Sequence, residues 1–350
     1  MTQEPQPGAE PAREADEQQP VPAPELEGGE WIQGEPVAIA GRGRPVLVDF
    51  WDYTCLNCLR TLPYLKEWYR RYAEHGQAIV GVHTPEFSFG KNPDHVRRAI
   101  AQLEIPYPVV LDADFTIWKA YQNQYWPAKY FIDAAGMIRA RHFGEGGYGE
   151  SETFLQILLR EQEGFAAELP PTMESMRPED APGAVCYRVT PELYCGYARG
   201  MIGNVGPIVP DRPMSYVDPG KHVEGTLYLD GDWMLASESL ARPFGAGEPS
   251  RMHLAYMAVD VNLVMHPPLT GDAATVRVLL DGEPITADTA GEDVHDGEVS
   301  VDQPRMYRLV HGADAERREL TLETTSDGLA AFAFTFTSCV APPPPVASSG

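Results

Sequence analysis

The apolar run Pro45-Val46-Leu47-Val48-Asp49-Phe50-Trp51 is followed at once by Cys55-Leu56-Asn57-Cys58 and then by an amphipathic stretch that ends near His75 and Gly76. Few architectures accommodate that order. A run so apolar predicts a strand buried on both faces, as in the interior of an α/β sheet. Two residues between the cysteines place both sulfurs within disulfide reach on the first helical turn. The free N–H groups and the positive dipole end of that helix stabilise a thiolate there. The first cysteine is then the more exposed, low-pKa nucleophile, and the second, one turn deeper, resolves a mixed disulfide. Cys55 is expected to attack and Cys58 to resolve.

The other reading of a C-x-x-C is half of a zinc site. Zinc takes four ligands, and no second C-x-x-C or H-x-x-x-H completes a set in this sequence. No metal and no cofactor is expected beyond a redox-active Cys55–Cys58 disulfide. Asp49 is the odd member of its apolar strand. A buried carboxylate there would have a raised pKa and could relay a proton to or from Cys58; the alternative is a structural Asp. Pro63 predicts a kink two turns into the helix.

Further strands are expected at Ala78–His83, Tyr107–Leu111, Lys129–Asp133 and Met137–Phe143, the last two joined by a hairpin turn at Ala134-Ala135-Gly136. Helices are expected from an Asp94 cap to about Leu103, over Phe115–Tyr121, and over Ser151–Glu161. Strands alternating with helices and then a hairpin imply an α/β sheet of mixed direction over residues 31–163. Residues 1–30 hold eight acids and one base with few large apolar side chains, which predicts a disordered tail. Residues 341–350 predict the same. Residues 164–184, rich in Pro, Glu and Ala, are expected to be a linker. From 185 to 340, short alternating runs at Val223–Leu229, Met252–Val264, Thr275–Leu280, Met306–Val310, Arg318–Glu323 and Ala330–Thr337 predict an all-β sandwich or jelly roll.

Val48-Asp49-Phe50-Trp51 followed by Cys55-Leu56-Asn57-Cys58 and Pro63 resembles the thioredoxin superfamily. The strand Val80-Gly81-Val82-His83 and the helix inserted before Pro106-Tyr107-Pro108 resemble its TlpA-like branch. The resemblance implies a cis-proline opposite the disulfide. Trp126-Pro127-Ala128-Lys129-Tyr130-Phe131-Ile132-Asp133 matches that position, which makes Pro127 the candidate and puts Trp126 and Trp51 at the substrate groove. More narrowly, Trp51 to Leu65, His83-Thr84-Pro85-Glu86-Phe87 and His142-Phe143-Gly144-Glu145-Gly146-Gly147-Tyr148 resemble the soluble redox portion of DipZ-type proteins. Thr190-Pro191-Glu192-Leu193-Tyr194 and Phe334-Thr335-Phe336-Thr337-Ser338-Cys339 resemble the edges of the carbohydrate-binding-module-like β domain that follows it in them. DipZ-type proteins also carry an N-terminal membrane domain that delivers electrons, and these 350 residues show none. The implied activity is thiol–disulfide exchange with protein clients, fed by an unidentified electron donor.

Two other functions compete. A peroxiredoxin-type thiol peroxidase would need a P-x-x-x-T-x-x-C loop; Thr54 adjoins Cys55, but no such proline precedes it. A binding protein would use the β domain to grip a glycan or protein, with the redoxin as scaffold. Trp233, Tyr187, Tyr194, Tyr197, Tyr228 and Tyr307 could stack on sugars or fill a core. His83 and Glu86 follow a strand end on the site side of the sheet and could line the groove; Glu86 could equally be a solvated loop residue. The Gly-rich segment at 142–148 is expected to be a turn. Cys186, Cys195 and Cys339 could pair or remain buried thiols. A net charge of −24 argues against nucleic acid and anionic membranes as partners, and no apolar run spans a bilayer. With no visible signal peptide the expectation is a cytoplasmic protein; a processed or trimmed N-terminus would allow an extracytoplasmic one.

Overall fold

The computed structural model describes residues 20–342, so the expected tails at 1–19 and 343–350 lie outside the described residues. The chain divides into two units, Met1–Met176 and Arg177–Gly350.

The first unit is built on seven strands: β1 (Val21–Pro22), β2 (Glu30–Gln33), β3 (Val46–Trp51), β4 (Ala78–His83), β5 (Val109–Leu111), β6 (Ala128–Ile132) and β7 (Met137–Phe143). They lie in the order β1-β7-β6-β3-β4-β5-β2. β3, β4 and β5 run parallel, while β6 is antiparallel to β3 and to β7. This is the mixed sheet expected, with β3 at its centre. Alternation along β3 sorts its side chains: Leu47 and Trp51 join the core under α1 (Leu56–Tyr72), α2 (Pro93–Gln102) and α4 (Tyr148–Arg160), and Val46, Val48 and Phe50 face the other way. The opposite face is covered by α3 (Thr116–Ala120) and by the N-terminal segment through Leu26, Trp31 and Ile39.

Residues 20–30 therefore depart from the expected tail. They are too polar to signal a buried element, and hydrogen bonds hold them instead. Val21 pairs with Ile138 and Pro22 with Met137. The Glu25 carboxylate accepts the N–H groups of Ile39 at 2.9 Å and Ala40 at 2.7 Å, and the carbonyl of Pro24 accepts from the Tyr121 hydroxyl at 2.8 Å. Gly29 lies so close to β5 that a Cβ would meet Val110 Cγ2 at 2.5 Å. The cap of α2 also differs: Asn92, not Asp94, accepts from the helix, taking the N–H of Asp94 at 2.9 Å. Pro93 follows at the first helical position, where its missing N–H costs nothing.

The first half of the expected linker is a strap bound to the first unit. Phe165, Leu169 and Met173 pack against its core. The carboxylate of Glu152, fully buried on α4, accepts from Tyr72 Oη at 2.6 Å and from the N–H of Met173 at 2.7 Å, and meets Arg71 Nη1 at 3.3 Å. Arg71 and Gln156 donate to the carbonyls of Pro171 and Pro170 at 2.9 and 2.8 Å. Prolines supply carbonyls without competing donors, which suits a segment that side chains must anchor.

The second unit is all β: β8 (Val185–Cys186), β9 (Leu193–Tyr194), β10 (Pro213–Tyr216), β11 (Leu227–Leu235), β12 (Leu240–Ala241), β13 (Ser250–His266), β14 (Ala274–Leu280), β15 (Glu283–Pro284), β16 (Glu298–Val301), β17 (Arg305–Thr324), β18 (Ala330–Phe336) and β19 (Cys339–Val340). Ten of these form one antiparallel sheet around a single core that includes Trp233, Tyr256 and Tyr307. The two runs expected at 306–310 and 318–323 are one strand of 20 residues, β17. Its middle, His311 to Arg317, is polar and largely exposed, so the alternation that marks a half-buried strand lapses there. Register shifts near Ala258–Asp260 and Val261–Asn262 bend its partner β13. β8 and β19 pair separately, and the Cys186–Cys339 disulfide joins them; Cys195 is a free thiol buried in the core.

Glu152→Ala is expected to destabilise the first unit by roughly 3 kcal/mol, because it leaves Arg71, Tyr72 and the Met173 N–H without their buried acceptor. Hydrogen exchange should show residues 170–176 losing protection first; unchanged protection there would mean that Glu152 does not hold the strap.

Candidate active site

Cys55 is the N-cap of α1. Its backbone is extended, and its Sγ accepts the Cys58 N–H at 3.3 Å. A thiol thus occupies the place that Ser or Asp fills at most helix starts. Cys55 is half-buried, whereas Cys58 is 1% exposed, and both thiols are free. Burial pushes both up. Cys55 is eased by hydrogen bonds from the Cys58 thiol and N–H, while the Glu86 and Asp52 carboxylates oppose its ionisation; Cys58 is raised well above the ordinary value. Cys55 is therefore the thiol that ionises first.

Asp52 shapes the turn that delivers Cys55. Its Oδ1 accepts from Thr54 N at 2.6 Å and Thr54 Oγ1 at 2.5 Å, and its Oδ2 accepts the Glu86 N–H at 2.9 Å. The Cys55 N–H donates to the Asp52 carbonyl at 3.2 Å. One buried carboxylate thus ties the end of β3 to the loop after β4.

Beneath Cys58 lies a buried charged pair. Asp49 stands opposite Lys129 in the β3–β6 register, and both side chains are essentially inaccessible. Burial pushes the Asp49 carboxyl up to about 7, against the pull of Lys129. The Lys129 ammonium donates to the Gly144 carbonyl at 3.1 Å; burial lowers its pKa, and Asp49 and Cys58 pull it back up. Asp49 Oδ1 and Tyr107 Oη have no protein partner among the described residues. On the adjacent strand Gly81 keeps the space open: a Cβ there would meet Trp51 Nε1 at 2.9 Å and Tyr107 at 3.3 Å. Asp49 can thus hold or release a proton near neutrality, next to the less acidic thiol.

Pro127 precedes β6, and the Trp126–Pro127 peptide bond is cis. Because Ala128 pairs with Phe50, Pro127 sits at the end of β3 from which the cysteine turn springs. Trp126 is half-buried; its indole N–H donates to the Thr84 carbonyl at 3.0 Å and its ring meets Trp118 at 4.2 Å. Glu86 is likewise half-buried and close enough for its charge to bear on Cys55. Two expected groove residues are instead interior. Trp51 is 0% exposed, being the last inward-facing residue of β3 on the α1 side. His83 is also fully buried, stacked on Tyr53 at 5.3 Å, and burial lowers its pKa to about 3, so it is neutral.

Asp52, Lys129 and Tyr107 escaped the sequence reading. Lys129 carried the same signal as Asp49, a lone charge inside an apolar strand. In the second unit the aromatic set does not gather into a platform. Trp233, Tyr228 and Tyr307 are buried; Tyr187 and Tyr197 are exposed and donate to Asp314 and Asp211; Tyr194 faces the Arg199 guanidinium at 3.7 Å.

Residues 18–141 match the AhpC/TSA family, and residues 190–337 match a thioredoxin-like C-terminal domain. The protein DipZ of Mycobacterium bovis is 33% identical over 319 residues, 90% of this chain. The chain spans 42% of the length of that relative. The thiol-disulfide oxidoreductase YkuV of Bacillus subtilis is 32% identical over 130 residues, 37% of this chain and 86% of YkuV. A thioredoxin-like protein solved in solution in its oxidised form is 29% identical, covering 41% of this chain and 97% of its own, with a TM-score of 0.37.

The release of a mixed disulfide by Cys58 is expected to accelerate through an inflection near pH 7, where Asp49 becomes a base. Asp49→Asn should remove the inflection and slow that step on the order of 10²-fold above it. Lys129→Met should move the inflection upward, since Lys129 holds the Asp49 pKa down. The native state grips the Asp49 proton more tightly than the unfolded chain does. That contribution to stability is present below pH 3.8 and lost as pH rises through about 7, so Asp49→Asn should be the more stable protein above that range. Stopped-flow profiles and denaturation at several pH values check both; a flat difference between the proteins would remove Asp49 from the proton path.

Proposed function

Because the chain belongs to the thioredoxin-like redoxins that carry a thioredoxin-like C-terminal domain, we propose that Cys55 and Cys58 reduce disulfide bonds of protein clients. The observation that carries this reading is the capped cysteine: Cys55 Sγ takes the Cys58 N–H at the start of α1, with Cys58 buried behind it. The Cys55 thiolate attacks a client sulfur, and the first client thiolate leaves. Asp49 accepts the proton of Cys58, whose thiolate then attacks Cys55 Sγ. The second client thiolate leaves, the Cys55–Cys58 disulfide forms, and two electrons have passed to the client. Trp126, Pro127 and Glu86 border the approach to Cys55.

The direction follows from the thiol environment. A strongly oxidising pair has a nucleophile whose pKa is far depressed, which stabilises its reduced form. Here burial and two carboxylates push Cys55 upward. That favours a reductant, regenerated by a donor of lower potential. The missing proline of a P-x-x-x-T-x-x-C loop before Cys55 weighs against a peroxidase.

Among the described residues no helix is long and apolar enough to cross a membrane. The Cys186–Cys339 disulfide supports placement in an oxidising compartment, contrary to the cytoplasmic expectation. For the β domain, a structural or docking role fits better than sugar stacking, because Trp233, Tyr228 and Tyr307 are buried and Tyr187, Tyr194 and Tyr197 are engaged with neighbouring side chains.

With Cys58→Ser, clients should accumulate as disulfide-linked adducts on Cys55, and insulin reduction should fall to background. Cys55→Ser should trap none. Equal trapping by both variants, or turnover that survives loss of both cysteines, would overturn the assignment.

A further inference from the structure

In the second unit, a carboxylate and a histidine four residues apart converge with a second histidine about thirty residues further on. We propose that Asp218, His222 and His253 bind a divalent transition-metal ion of the zinc class.

One ligand atom from each of the three lies within 4.8 Å of the others. Ligands bound tetrahedrally at zinc distances are about 3.4 Å apart, so side-chain movement of about an ångström closes the set. Both imidazoles are tethered through Nδ1 from β17. His222 Nδ1 pairs with Glu319 Oε1 at 2.5 Å, and His253 Nδ1 pairs with Thr321 Oγ1 at 3.0 Å. That leaves both Nε2 atoms for a ligand. Metal-bound histidines are held in this manner, with the second ring nitrogen fixed by a carboxylate, carbonyl or water. His222 Nε2 meets Asp218 Oδ1 at 2.7 Å, while His253 Nε2 is buried without a hydrogen-bond partner.

The support is rigid. Tyr228, His253 and Thr321 form one row across β11, β13 and β17. The His222 ring stacks on His253 at 5.1 Å and packs on Tyr228 at 4.9 Å. Asp218 and His222 come from the connection between β10 and β11, so an ion would pin that connection to the sheet. The His222 side chain is 5% exposed and Asp218 25%, which leaves a route for an ion.

A plainer arrangement would be a charged His222 clamped by Asp218 and Glu319. It explains one imidazole. It does not explain a second imidazole stacked on the first with a bare ring nitrogen turned away from water. Such a nitrogen costs free energy unless something binds it. Two imidazoles and a carboxylate suit zinc, cobalt, nickel or copper better than calcium or magnesium. Three protein ligands leave one coordination position open.

The test uses the full chain with Cys55 and Cys58 oxidised, so that those thiols cannot compete. Zinc binding by equilibrium dialysis should saturate at one ion per chain. His222→Ala and His253→Ala should each weaken it by roughly tenfold or more. The wild-type chain loaded with cobalt should show four-coordinate d–d absorption without thiolate charge transfer, a readout that does not depend on how the variants fold. No saturable binding, equal binding by folded variants, or a thiolate signature would overturn the proposal.

Discussion

An α-helix begins with backbone N–H groups that lack a carbonyl partner, and in α1 one of them is satisfied by the Cys55 sulfur. Much of the first unit serves that contact. β3 must be central and parallel to β4 so that its C-terminal end opens at the site. Asp52 must hold the turn, so that Cys55 is presented in extended backbone where the helix starts. α1 must pack across the sheet, which buries Cys58 while Cys55 keeps partial access. Cys55 and Cys58 differ in access because the helix start separates their depths, not because their chemistry differs.

The electrostatics follow from the same burial. A carboxyl and an ammonium on two paired interior strands act on each other through their charges, and burial moves both pKa values toward neutrality. Such a pair is a poor source of stability and a good proton reservoir. Around Cys55, burial and the nearby carboxylates act together against ionisation. The site thus lacks the strongly stabilised thiolate that marks an oxidising pair.

The candidate site was legible because its parts are local. A strand, a four-residue motif and a helix are contiguous, and a single charge in a buried strand is conspicuous, so Cys55, Cys58 and Asp49 could be named from order alone. Pro127 needed the family resemblance, since a proline carries little sign of its isomer. Lys129 was as visible as Asp49, but its partner is set by strand register, which only the fold reveals. Trp51 lies inside rather than at the groove that the resemblance implies, because alternation along β3 turns it toward the core. Residues 20–30 and the strap at 165–176 were hidden because hydrogen bonds to distant groups, rather than apolar periodicity, order them. The histidine cluster was out of reach because Asp218 and His222, four residues apart, are too few to mark a metal site, and His253 reaches them only through the fold of the sheet.

The central claim is that Cys55 and Cys58 form a reversible, reducing two-electron couple. The direct measurement is the reduction potential of the pair in glutathione buffers, read as a mass shift after alkylation. A single two-electron transition below about −200 mV, toward the thioredoxin end of the range, is the expected result. A potential near −120 mV would make the protein an oxidant, and the absence of any reversible couple at these two residues would contradict the account altogether.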